Sequence, residues 1–83
     1  MIVNWKKSKV HPKGNAKEMG AKPWDKYSVS FCDVYAEIQY VGKGRLVTSI
    51  VIVGDKMYCG QYKSLSSAKV RTEGKFLKYT KSV

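Results

Sequence analysis

The chain has 83 residues, 43% of them apolar, and a net charge of +10 from 16 Lys/Arg against 6 Asp/Glu. That length supports one domain with a thin core, and that apolar fraction excludes wholesale disorder. The longest apolar run, 46–53, is interrupted by Thr48 and Ser49 and is too short to cross a bilayer, while MIVNWKKSK has lysines where a secretory signal needs an apolar stretch, so a cytoplasmic protein without membrane contact is expected.

The charge is unevenly spread. Residues 1–26 hold seven lysines and two acids, residues 27–62 hold three of each sign, and residues 63–83 hold six bases and one acid. Two basic ends flank a neutral middle, a distribution that concentrates polyanions near the protein.

Residues 1–26 read as a basic arm. Pro12, Gly14, Gly20 and Pro23 break it at short intervals and leave room for one helical turn at 16–19. Trp5 and Trp24 suit both packing anchors and stacking platforms, and their sequence context does not separate the two roles. Lys6, Lys7, Lys9 and Lys13 are the arm's candidate phosphate contacts.

Residues 27–83 read as a small α+β domain. Tyr27, Val29 and Phe31 alternate with Ser28 and Ser30, which gives a strand with one apolar face. The apolar set then moves from odd to even positions, to Val34, Ala36, Ile38 and Tyr40. A bulge or a break into two strands at Cys32-Asp33 would account for that slip. Gly42-Lys43-Gly44 reads as a hairpin turn. The β-branched run Arg45–Val53 suggests a central strand covered on both faces or nearly so. Gly54-Asp55 is a second tight turn, and Lys56–Tyr62 the next strand. Ser64 is a good N-cap. Leu65, Ala68, Thr72, Phe76 and Tyr79 follow at spacings of 3, 4, 4 and 3, one face of a helix that must contain Gly74. The expected architecture is an antiparallel meander of three or four strands with a C-terminal helix packed on one face.

The residues offer little for catalysis. The one histidine, His11, lies on the Pro/Gly-rich arm, and no nucleophile is paired with a base, so no enzyme is expected. Cys32 and Cys59 stand 27 positions apart and with His11 fall short of a four-ligand zinc site, so neither metal nor cofactor is expected. Two reduced, half-buried thiols are expected, although one disulfide is possible by count.

Binding suits the chain better. Bases interleaved with aromatics fit a phosphate backbone and exposed bases. Candidate contacts are Lys43 and Arg45 at a hairpin, Lys56 and Lys63 about the next strand, and Lys69, Arg71, Lys75 and Lys78 on the helix. Tyr35, Tyr40, Tyr58, Tyr62 and Tyr79 are candidates for stacking. The expected partner is nucleic acid, with duplex favoured over single strands. The alternative is a protein-interaction module, such as a small inhibitor, viral ones included, that docks on an acidic protein surface.

Two family resemblances pass through segment 54–77. Gly60, Ser64, Ala68 and Lys69, with Phe76-Leu77 beyond, resemble the end of a double-stranded-RNA-binding domain, which implies that Lys69 contacts phosphate. Leu65 and Ser66 stand where that family usually has lysines. Gly60, Tyr62, Ser64 and Ala68 also resemble the strand-to-helix segment of the three-stranded DNA-binding domains of plant ethylene-response factors and tyrosine-recombinase integrases. That resemblance implies that the sheet, through residues such as Arg45 and Lys56, enters the major groove of DNA.

Overall fold

The computed structural model describes residues 3–20, 22–42 and 44–81. In chain order the elements are β1 (Lys6–Val10), the single turn α1 (Asn15–Glu18), β2 (Trp24–Phe31), β3 (Val34–Tyr40), β4 (Val47–Val53), β5 (Lys56–Tyr62) and α2 (Leu65–Thr80). The strands form one antiparallel meander in the order β1-β2-β3-β4-β5, and α2 packs on one of its faces. The α+β layout matches the expectation. The sheet has five strands rather than three or four.

The additional strand is β1. Residues 6–10, expected within an irregular arm, pair with β2, Lys7 opposite Tyr27 and Lys9 opposite Asp25. KKSKV has no apolar face to announce a strand. What holds it is the ladder to β2, the ion pair of Lys9 with Asp25 at 2.7 Å, and Trp5 just before it. Trp5 packs against both clusters of the core, and its Nε1 donates to Glu73 Oε1 of α2 at 2.6 Å.

The slip at Cys32-Asp33 is a break between strands. Phe31 pairs with Val34 across a two-residue turn, and Cys32 takes a φ of 53°. An even-length turn sets odd positions of β2 opposite even positions of β3, so Tyr27 and Val29 share a face with Ile38 and Ala36. Gly54, with φ 60°, occupies the equivalent place in the β4–β5 turn, where a left-handed backbone carries no Cβ penalty. Its N–H donates to the Asp33 carbonyl at 3.1 Å and ties the two hairpin tips together.

The core lies in a single layer between α2 and the sheet. Ala68 sits over Ile38 and Val47, and Phe76 over Val34, Ala36 and Val51. The Ser64 hydroxyl accepts from the Ser67 N–H at 3.2 Å and starts α2, as its sequence predicts. The helix runs unbroken through Gly74. Thr72, fully buried at its centre, has a hydroxyl without a hydrogen-bond partner.

β4 is a correction. Val47, Ser49 and Val51 are buried beneath α2, but Thr48, Ile50 and Ile52 are only half-buried on the sheet's other face, which no described element covers. The continuous apolar run reflects β-strand preference on an open surface as much as two-sided burial.

Candidate functional site

Three surfaces carry the candidate residues. The open face of the sheet bears, by register, Lys6 and Lys26 as its cations and Glu37 as its acid. A polar network crosses it. Trp24 Nε1 donates to Gln39 Oε1 at 2.8 Å, Gln39 Nε2 to Glu37 Oε2 at 2.7 Å, and the Tyr35 hydroxyl to Glu37 Oε1 at 2.8 Å. Desolvation and the neighbouring Glu37 carboxylate push the Tyr35 phenol up to about 12. Arg45 and Lys56, the contacts implied by the resemblance to sheet-face DNA binders, lie elsewhere. Arg45 is in the loop before β4, and Lys56 pairs with Val53 on the side of the helix. Lys43 is outside the described residues, and Lys13 lies in the loop between β1 and α1.

The second surface is the flank of α2 toward β1 and β2. Lys69 Nζ stands 4.3 Å from the centroid of the Tyr27 ring, and Lys7 Nζ 5.9 Å from it. Lys7 and Lys9 both pair with Asp25. The hydrogen bond from Lys9 and the charge of Lys7 hold the Asp25 carboxyl below the usual carboxylate range despite partial desolvation. This flank is largely satisfied from within.

The third surface is the groove between the other flank of α2 and the edge strand β5. It is open, with a volume of about 810 Å³, and is lined by residues that include Lys63, Arg71, Lys75 and Lys78, with no acid among the described residues that line it. Three of the four come from one helix face: Arg71, Lys75 and Lys78 fall four and then three residues apart. Lys63 joins them because β5 ends where α2 begins. None of the ion pairs among the described residues involves Lys63, Arg71 or Lys75. The positive end of the α2 dipole adds to the field at the Lys63 end. Thus the fold separates Lys69 from Arg71 and Lys75, which the sequence groups together. Two residues before Arg71 is about 200° around the helix.

The tyrosines are mostly engaged. Tyr58 and Tyr79 stack on each other, with centroids 5.4 Å apart and planes 12° from parallel, and the hydrogen bond between them raises the Tyr79 pKa. Tyr62 lies over Gly60, so that a Cβ at Gly60 would come within 3.0 Å of its hydroxyl. Tyr40 packs against the Ile38–Ala68 cluster. Cys32 and Cys59 are free and exposed rather than half-buried. No three His, Cys, Asp or Glu side chains among the described residues gather as metal ligands, and no described helix is long and apolar enough to cross a membrane.

Fold and site together define a small α+β protein with a concentrated cationic groove at one sheet edge. No family model, curated protein or solved structure matches the chain significantly.

Proposed function

We propose that this protein is a small, non-enzymatic, cytoplasmic nucleic-acid-binding module that holds the phosphate backbone of duplex DNA or RNA in the α2–β5 groove. The observation that carries the reading is the convergence of Lys63, Arg71, Lys75 and Lys78 on one groove whose described lining holds no acidic side chain. Guanidinium and ammonium groups so placed suit phosphate oxygens, and their release of counterions drives binding. Lys7, Lys9 and Lys69 add long-range field more than contacts, because Asp25 and Tyr27 already engage them. The strand–cap–helix corner that resembles the two nucleic-acid-binding families stands at one end of the groove, where Tyr62, Lys63 and Ser67 line it.

The test is fluorescence anisotropy against duplex DNA, duplex RNA and a single strand, each over a salt series. Micromolar or tighter binding, with log K falling linearly in log salt, is expected. No binding to any of the three at low salt would refute the reading.

Docking on an acidic protein surface is the second reading. Its particular support is β5, an edge strand with exposed Met57 and Cys59, which offers unpaired backbone groups beside the same cations. A single stoichiometric protein that stays bound after nuclease treatment at moderate salt would favour it.

A further inference from the structure

Gly74 stands in the middle of the cationic wall. Arg71, Gly74, Lys75 and Lys78 lie at i, i+3, i+4 and i+7, so they share one helix face, and all four line the groove. Glycine inside a helix is less favourable than alanine. Packing gives no reason for it here, because a Cβ built at Gly74 meets nothing within 4 Å. The chain's other described glycines have local reasons. Gly14, Gly20, Gly42, Gly44 and Gly54 adopt positive φ, and Gly60 lies beneath Tyr62. Gly74 alone has neither.

What the missing side chain leaves is a notch in the helix surface, ringed by Arg71, Lys75 and Lys78. We propose that this notch is the seat of one phosphodiester group of the bound nucleic acid. The inference rests on the nucleic-acid reading above and gives it a contact point. Without a Cβ, the phosphate approaches the helix backbone closely, a recognised use of glycine. The surrounding cations then donate charge-assisted hydrogen bonds to its oxygens. Tyr62 and Val70, on the same groove, give apolar surface for the adjoining sugar or base.

The test is Gly74→Ala in the full chain. Anisotropy is measured with a labelled single strand and with the same sequence as a duplex, and the free protein is melted in parallel. The expected effects have opposite signs. The melting temperature rises by about 4–8 °C, because alanine favours the helix and the site has room. Affinity falls about tenfold, the loss of one charge-assisted contact. Loss confined to one of the two nucleic acids still supports the seat and identifies whose phosphate fills it. Binding that Arg71→Gln/Lys75→Gln weakens and Gly74→Ala leaves unchanged or tightens overturns the seat alone. Wild-type protein that binds none of duplex DNA, duplex RNA and a single strand overturns the groove reading and the seat together.

Discussion

Trp5 is the point at which β1 is fastened to the rest of the molecule. Its ring packs against both core clusters, and its indole N–H reaches Glu73 on α2, 68 residues away. Replacing a buried Trp by Ala typically costs ~3–5 kcal/mol, and a half-buried one falls at or below the low end, about 2–3 kcal/mol. Within that sum, the hydrogen bond to a half-buried carboxylate contributes about 1–2 kcal/mol. Trp5→Phe should therefore lose about half of what Trp5→Ala loses. Domains of this size have roughly 4–12 kcal/mol in total, so the alanine variant gives up a large fraction. Thermal melts followed by circular dichroism should show Trp5→Ala lowered by about 8–24 °C and Trp5→Phe by about half as much. Glu73→Gln, which keeps an acceptor, should fall between Trp5→Phe and wild type. If Trp5→Ala melts at the wild-type temperature, the indole does not fasten β1 and that strand is not part of the cooperative unit.

Other substitutions probe separate parts of the account. Thr72→Val removes a buried hydroxyl without a partner and preserves the β-branched shape, so it should stabilise by about 1 kcal/mol in urea unfolding; a destabilised variant would mean the hydroxyl is satisfied. The depressed pKa of Asp25 implies stability that is present above the ordinary carboxylate range and lost as pH falls through the lowered folded value. Asp25→Asn should accordingly flatten the acid-side decline in melting temperature, and an unchanged decline would place its cause elsewhere. Tyr35 has the opposite sense. Its phenol is raised to about 12, so the folded state holds the proton longer, and stability declines as pH rises from about 10 toward that value. Tyr35→Phe should remove one late phenolate step from the alkaline absorbance titration; an unaltered late region would refute the Glu37 contact.

The chain announces the parts of its fold that have a patterned apolar face. β5 and the Ser64 cap fall where their residues place them, because a turn glycine, alternating side chains and a capping hydroxyl are local signals. The buried helix positions Ala68, Thr72 and Phe76 are legible for the same reason. β1 is not, since KKSKV puts lysine on both faces and is held by partners distant in sequence, Asp25 among them. β4 misleads in the other direction: Ile50 and Ile52 lie on the open sheet yet read as core. The site is half legible. The spacing of Arg71, Lys75 and Lys78 marks one helix face, but only the β5–α2 connection brings Lys63 to it. Gly74 draws notice in the sequence as a helix weakness and shares the spacing of those cations, but the open space above it and the groove it lines appear only in the fold.

The groove as the phosphate-binding surface is tested most directly by a salt-dependence comparison on duplex DNA. Four groove cations that each neutralise one phosphate give a slope of log K against log salt of about −3.6, at about −0.9 per contact. Arg71→Gln/Lys75→Gln should bring it to about −1.8 and weaken binding at least tenfold. Lys17→Gln/Lys22→Gln removes the same net charge outside the groove and should leave the slope near the wild-type value. Equal losses of slope in the two double variants would contradict the account, and the binding would then follow total charge rather than the groove.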